Sequence, residues 1–407
     1  MGPAPSDSST RPIPSLSDLW RWDLQRTLTA LSPSRRRQLR SFAASAQGLV
    51  PQDGGDAAPL LDLASNDYLG LSRHPAVTTA AAAELQRSGL GAGSSRLVSG
   101  SRPVHQALET ALASWLGRER ALLFPSGFQA NLAAVGALAD RHSLVLADRL
   151  IHHSLLCGVR AAGAQLQRFG HNDLHDLERH LAAARATWPR RRLLVLSESL
   201  FSMQGTSPAV PQLVELCQRH GAALLLDEAH ALGVLGPGGR GLGHGQAAIA
   251  LISGTFGKAL GSGGAFVAGD ADTLEALLQT SGAFRYTTAL APPLAAGALA
   301  ALAWIQQQDA ERQDPGELLR QRARRWREVL AAAGWPRPAG EGPILPLLVG
   351  DDERALQLQH QLERDGLLCV AIRPPTVPAG SARLRIVLRR DLPAGTLPRL
   401  LSALGQP

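Results

Sequence analysis

The sequence predicts an α/β fold built on a mostly parallel sheet, and three observations carry that expectation. From about Leu61 onward, short apolar runs alternate with longer amphipathic stretches, the rhythm of strands joined by helical crossovers. Several runs end on polar or glycine residues, namely Ser126-Gly127, Asp148, Ser197-Glu198, Asp227-Glu228 and Ser253. In an open parallel sheet such endings line the crevice where ligands bind. The chain has 407 residues, 45% hydrophobic and 18% charged, enough for two or three domains of roughly 100–200 residues and for a buried site. The same figures exclude a disordered or fibrous chain and a small disulfide-stapled scaffold.

Taken in order, the first fifteen residues, MGPAPSDSSTRPIPS, are rich in Pro and Ser and have no apolar core. They read as a disordered tail rather than a signal peptide, which makes cytoplasmic residence the default. The expected strands are Ala121–Phe124, Leu144–Ala147, Leu193–Leu196, Ala223–Leu226, Ile249–Ile252 and Ala265–Ala268. Beyond Pro293 a long helix rich in alanine and arginine is expected to run to about Trp335, followed by a smaller strand-and-helix unit ending near Pro407. The apolar stretch Ala289 to Ile305 is 17 residues long and broken by Pro292-Pro293, so it reads as a buried helix and not a membrane span.

Cysteine and charge narrow the function. Cys157, Cys217 and Cys369 are odd in number, far apart and outside any CxxC spacing, which fits a reducing compartment and supports no metal site. The net charge of +7 admits nucleic acid, membrane surface or anionic small molecules as partners. The basic runs at Arg35–Arg37, Arg190–Arg192 and Arg389-Arg390 are short and lack interleaved aromatics, which favours anionic small molecules and argues against nucleic acid. Lys258 is the only lysine among 41 basic side chains, so the other 40 are arginine. An arginine cannot supply a neutral amine near pH 7, so any amine chemistry has this one side chain available.

Common catalytic signatures are missing: there is no GxSxG elbow, no Walker loop and no HExxH helix. A GxGxxG occurs at Gly236–Gly241, but it contains Pro237 and lies about ten residues past its strand, outside a strand-to-helix turn. His171 and His175 have helical spacing without a surrounding carboxylate constellation and read as surface or capping residues.

Four segments carry chemistry. In SGTFGKALGSGG, Ser253 to Gly264, the sole lysine sits in a glycine- and hydroxyl-rich loop after a buried strand. Small residues let a ligand approach the backbone, hydroxyls and amides suit a phosphate, and a desolvated lysine gains the lowered pKa that imine formation needs. Together these point to pyridoxal phosphate. In LLLDEAH an apolar strand delivers Asp227 to its end with His230 three residues on, and an aspartate there can keep a pyridine nitrogen protonated. A strand-end Asp is equally a helix cap, and DEAH occurs in helicases, which the missing Walker loop excludes. In FPSGFQAN a strand turns into a helix, so amides at Gly127 and Phe128 can face a phosphate. In DRLIHHS either His152 or His153 can stack on a cofactor ring.

With these segments in view, the chain resembles the α-oxoamine synthase family of pyridoxal phosphate enzymes from about Leu16 to Leu404. The matching segments are SNDYLGLS, the SG-F-x-AN turn, ADRLIHHSLL, ESLFSMQG, DEAH, TFGKALG and YTTALAPP, and AIRPPTVPAGSARLRI at Ala371 to Ile386 points to the biotin-pathway branch. The resemblance implies the fold-type I, aspartate aminotransferase-like arrangement, with a large domain around a mostly parallel central sheet and a smaller α+β C-terminal domain. It implies a tail and helical segment over 1–60, a large cofactor-binding domain over 61–290 and a small domain over 291–407.

By the same resemblance Lys258 would carry the cofactor, Asp227 would pair with its ring nitrogen and His230 would bond its ring hydroxyl. His152, rather than His153, would stack on the ring, with Ser202 nearby. Gly127, Phe128 and Thr255 would hold the phosphate, joined by Thr288 from a partner subunit, because the family builds its sites at a homodimer interface. Asn66 and Arg373 would hold substrate, Arg373 by pairing with the amino-acid carboxylate, and Arg40 would face substrate from the N-terminal side. The implied reaction is decarboxylative condensation of L-alanine with pimeloyl-CoA or a pimeloyl-acyl carrier protein. Sister synthases that use glycine, such as glycine C-acetyltransferase or 5-aminolevulinate synthase, are the nearest alternative. A fold-type I aminotransferase or lyase, and a basic nucleic-acid-binding protein that kept only the fold, are the others. Two departures stand out: the N-terminal extension has no assigned role, and Ala259 follows the lysine where relatives often carry glycine.

Overall fold

The protein is described by a computed structural model over residues 18–52 and 58–407. The tail expected over the first fifteen residues lies outside the described residues.

Apolar runs bounded by turn residues build the central sheet. Its seven strands are β1 (Arg120–Phe124), β2 (Leu144–Asp148), β3 (Gln165–Phe169), β4 (Leu193–Glu198), β5 (Ala223–Asp227), β6 (Leu251–Thr255) and β7 (Ala265–Gly269). They lie in the order β1-β7-β6-β5-β4-β2-β3. β7 runs antiparallel to both β1 and β6, and every other pairing is parallel. The strand ends that matter, at Phe124, Asp148, Glu198, Asp227 and Thr255, therefore share one edge of the sheet, and the reversed β7 brings its start, Gly264-Ala265, to the same edge.

Alternation along the strands divides the packing. Val145, Ala147, Leu194 and Leu196 face a cluster with helices Gly127–Leu138, His153–Ala161 and Ala271–Thr280. Leu144, Leu146, Leu193 and Val195 face the opposite cluster, with helices Leu174–Thr187 and Val210–Arg219. Both faces are buried, which explains why these strands read as continuous apolar runs. β3 was absent from the expected strands because Gln165–Arg168 are exposed on the sheet edge and carry no such run.

C-terminal to the large sheet, β8 (Ile344–Gly350), β9 (Val370–Ile372) and β10 (Ala382–Val387) form an antiparallel sheet in the order β8-β10-β9. The single helix expected from Pro293 to Trp335 is two helices, Pro292–Ala310 and Glu317–Ala332. The break is local chemistry: Arg312 takes a left-handed φ of 57°, Pro315 disfavours helix at Asp314, and a Cβ on Gly316 would lie 2.3 Å from the Val234 carbonyl oxygen.

Much of the arginine excess is consumed inside the fold. Arg118 donates to the carbonyls of Gln246 and Ile249 at 2.8 and 3.0 Å. Fully buried Arg327 donates to those of Ala339, Gly342 and Ile344. A guanidinium offers five donors in a fixed fork, which suits it to tying several loop carbonyls together.

The GxGxxG segment holds no strand-to-helix turn; Pro237–Gly239 form a short 3-10 turn. The segment after it is anchored by Glu228, which accepts from Leu242 N–H at 3.2 Å and Gly243 N–H at 2.6 Å. Burial pushes the Glu228 carboxyl up from 4.5 to about 7. Between those values the folded chain keeps a proton that the unfolded chain has released, so this group's contribution to stability is lost as pH rises through about 7. The shift corresponds to on the order of 3 kcal/mol. Melting temperatures at pH 5 and pH 8 should therefore fall more for the native protein than for Glu228→Gln, and equal slopes would contradict the assignment.

Candidate functional site

Five strand ends and two loops assemble one polar cluster at the carboxyl edge of the sheet. Asp227, at the end of β5, is buried, and both its oxygens are engaged: Oδ2 accepts from Asn131 Nδ2 at 2.8 Å and Oδ1 from Ala229 N–H at 2.9 Å. Asn131 comes from helix Gly127–Leu138 and also donates to Ser154 Oγ at 2.9 Å. The aspartate is thus fixed in orientation by a side-chain amide and a backbone amide.

Lys258 lies in the loop between β6 and β7, where Gly261 N–H closes a turn onto its carbonyl at 2.9 Å. Burial lowers its pKa from 10.5 to about 8; Asp227 and Glu198 oppose the shift and Arg385 adds to it. Its Nζ forms no hydrogen bond among the described residues. This is the electrostatic setting in which an amine near neutral pH has a usable unprotonated fraction.

His230 is buried, with Nδ1 2.6 Å from the hydroxyl of the fully buried Tyr68. Burial, then the charges of Lys258 and Arg385, hold its pKa well below 6.5, so the imidazole is neutral. Burial likewise pushes the Tyr68 phenol up to about 12. The line of polar groups continues from Tyr68 to Asn66 Oδ1, which accepts from Arg385 Nη2 at 2.9 Å, while Arg385 Nε donates to the Ser202 carbonyl at 2.7 Å.

His152 caps helix His153–Ala161. Its Nδ1 is 2.8 Å from Ser154 Oγ, and its backbone N–H donates to Glu198 Oε1 at 2.6 Å. Desolvation lowers the imidazole pKa, with Asp227 raising it and Lys258 lowering it further. The ring is therefore tethered on one edge, with the residue otherwise exposed beside the Asp227 and Lys258 charges. His153 is exposed and makes none of these bonds.

One part of the cluster suits an anion. Gly127 and Phe128 open their helix, and their N–H groups have no acceptor among the described residues; Ser126 Oγ accepts only from Gln129 N–H. A Cβ on Gly127 would lie 3.8 Å from that of Thr255, so the first helical turn and the Thr255 hydroxyl flank one space. Thr255 Oγ1 donates to the Gly264 carbonyl at 2.9 Å and accepts from Gly257 N–H at 3.2 Å. An unpartnered amine, an oriented carboxylate, and free amides beside the Thr255 hydroxyl supply a partner for each of the aldehyde, the ring nitrogen and the phosphate of pyridoxal phosphate.

Not every residue expected from the sequence joins this cluster. Arg373 Nη1 bonds the Ser34 carbonyl, and its Nε is buried without a partner. The arginine that meets Asn66 is Arg385, which the sequence reading did not select. The cause is strand geometry: along β10, Ala382, Leu384 and Ile386 face the core, which turns Arg383 and Arg385 to the opposite face, toward the carbonyls of Met203 and Ser202. Arg40 forms an ion pair with Glu363 at 2.6 Å and lies over the Phe42 ring. Arg40 and Arg373 line a separate groove of about 1660 Å³ against the N-terminal segment. Thr288 is exposed, bridged to Ser95. His171, read as a capping or surface residue, pairs with the buried Asp148 at 3.0 Å, and no metal-binding cluster occurs among the described residues.

Residues 58–404 match the family described as aminotransferase class I and II. The chain is 45% identical over 380 residues to an 8-amino-7-oxononanoate synthase of Acidithiobacillus ferrooxidans, covering 92% of each protein. Among solved structures, a serine palmitoyltransferase determined with pyridoxal phosphate superposes with a TM-score of 0.83 at 26% identity, covering 97% of this chain and 98% of the other. The 8-amino-7-oxononanoate synthase of Francisella tularensis gives a TM-score of 0.70 at 25% identity, covering 85% and 96%.

Proposed function

The chain belongs to the 8-amino-7-oxononanoate synthases, pyridoxal-phosphate-dependent acyltransferases of biotin biosynthesis with the fold-type I architecture, and from that premise we propose that it condenses L-alanine with a pimeloyl thioester, releasing carbon dioxide and the free thiol. The observation that carries the reading is the single lysine, depressed to a pKa of about 8 beside Asp227. When bound, pyridoxal phosphate supplies a carbonyl that captures amines and a cationic ring that withdraws electrons from the amino-acid Cα.

Each residue then has one task. Lys258 would anchor the cofactor through Nζ, and its free amine would take the Cα proton. Asp227 holds the proton on the ring nitrogen. His152 would lie against the ring and restrict its orientation, and the neutral His230 would offer Nε2 to the ring hydroxyl, with Ser202 nearby. The free amides of Gly127 and Phe128 and the hydroxyl of Thr255 take the phosphate. Arg385, with Asn66, takes the alanine carboxylate in place of Arg373. Arg373 and Arg40 line the groove against the N-terminal segment, where an acyl chain or its carrier has room.

Arg385→Ala tests the carboxylate assignment. Loss of hydrogen bonds to a charged group costs about 1.5–3 kcal/mol, so KM for L-alanine should rise roughly 10-fold to 150-fold while KM for the thioester changes little. Arg373→Ala should leave the alanine KM near the native value. The reverse ranking would restore Arg373 to the amino-acid site.

Two further readings accompany the reaction. A second copy of the chain covers the face bearing Val98 and Tyr286, each 79% exposed, on the two segments that the Ser95–Thr288 bridge joins. Light scattering that gives the mass of one chain would overturn this. Cytoplasmic residence is supported by three free thiols, and among the described residues no helix is long and apolar enough to cross a membrane. Comparing L-alanine with glycine as co-substrate separates this reaction from the glycine-using sister enzymes.

A further inference from the structure

Glu198 is a buried carboxyl for which the functional reading so far has no use. It ends β4 directly beside Asp227, its register partner on β5, and is 4% exposed. Among the described residues no ion pair reaches it, and its one hydrogen bond is the one its Oε1 accepts from the backbone N–H of His152, at 2.6 Å. Burying a carboxyl without a cation is costly, and an apolar side chain would fill this strand end more cheaply. What a carboxyl supplies here is an acceptor for an amide that has no helical partner, on the residue that caps the next helix.

The imidazole of His152 is thus located by two tethers from different elements. Ser154 Oγ fixes Nδ1 from within the helix, and Glu198 fixes the main chain from the end of the neighbouring strand β4. Ser154 is itself held by Asn131, the same amide that orients Asp227. We propose that Glu198 is a positioning residue that acts through the His152 backbone to set the imidazole where it would stack on the bound pyridoxal ring. The proposal rests on the assignment of His152 to the ring face given above.

The groups that act on Glu198 are Asp227, Lys258, Asp148 and His152, and the net result of burial and the neighbouring carboxylates is a pKa well above 4.5. A protonated carboxyl still has a carbonyl oxygen to accept the His152 N–H. The neutral amide of glutamine therefore reproduces the role, and alanine does not.

The test uses the holoenzyme with Glu198→Gln, Glu198→Ala, His152→Ala and the Glu198→Ala, His152→Ala double variant. Losing one buried hydrogen bond to the tether, about 1.5 kcal/mol, should weaken cofactor affinity about 10-fold in Glu198→Ala and reduce the visible circular dichroism of the bound cofactor. kcat should fall with the alanine KM little changed. Glu198→Gln should keep native affinity and dichroism. In the His152→Ala background, removing Glu198 should add less than about a twofold change, because the two act as one unit. Native dichroism in Glu198→Ala, additive losses in the double variant, or a Glu198→Gln protein that behaves like Glu198→Ala would each overturn the proposal. If Glu198→Ala does not fold, Glu198→Leu, which fills the space without an acceptor, carries the same comparison. A native protein that binds no pyridoxal phosphate would instead reject the underlying functional reading.

Discussion

Replacing Lys258 with alanine is expected to reduce condensation by at least about 10,000-fold, the upper end of what a positioned acid–base group contributes. The expectation follows from composition as much as from geometry. With no second lysine in the chain, no neighbouring amine can take over, and arginine stays protonated at any working pH. Borohydride reduction should fix the cofactor to the native chain and leave Lys258→Ala unlabelled. The lowered pKa adds a pH signature: the unprotonated amine is the form that captures a carbonyl, so cofactor uptake by the apoprotein should accelerate as pH rises, with a midpoint near 8. A rate flat between pH 6.5 and 9.5 would contradict the electrostatic setting described for Lys258.

The second large effect is expected at Asp227. Asparagine in its place keeps the shape and a partner for Asn131 but removes the charge that holds a proton on the ring nitrogen. Condensation should fall by roughly 100-fold to 10,000-fold, the range associated with control of a catalytic proton. Because Asp227 raises the Lys258 pKa against the effect of burial, its loss should also move the uptake midpoint below 8. The paired outcome separates a chemical role from a structural one. A merely misfolded variant would lose activity without shifting the midpoint in that direction, whereas a helix-capping aspartate would leave both nearly unchanged.

Why some of this was legible in sequence and some was not can be traced to individual residues. The central strands announced themselves because both their faces are buried, so their runs are apolar up to the polar residues at their ends. β3 did not, because its polar residues sit on the solvent edge of the sheet. Lys258 stood out as the only lysine, in a glycine- and hydroxyl-rich loop after an apolar strand, and Asp227 because an apolar strand delivers it to its end. Arg385 did not, because whether an arginine in ARLRI faces the core or the crevice depends on the register of β10 against β8, and β9 fixes it only in three dimensions. An arginine alternating with core residues was the available signal. Asn131 and Glu198 lay within segments already singled out, FPSGFQAN and ESLFSMQG, but their partners are 96 and 46 residues distant in the chain. No local spacing rule reaches that far.

Arginine content illustrates the same limit. A net charge of +7 suggested anionic partners, yet the fold shows guanidinium groups tying down carbonyls at loop ends, as Arg118 and Arg327 do. Charge counted along a sequence does not distinguish a cation offered to a ligand from one engaged within the chain.

The most direct test of the central claim is a titration of the purified protein, loaded with pyridoxal phosphate, first with L-alanine and then with a pimeloyl thioester, following the visible absorbance of the cofactor and the products by mass spectrometry. The account predicts a spectral change with alanine, and release of carbon dioxide, free thiol and 8-amino-7-oxononanoate only after the thioester is added. A protein that takes up no pyridoxal phosphate, or one that forms product equally well as Lys258→Ala, would contradict it.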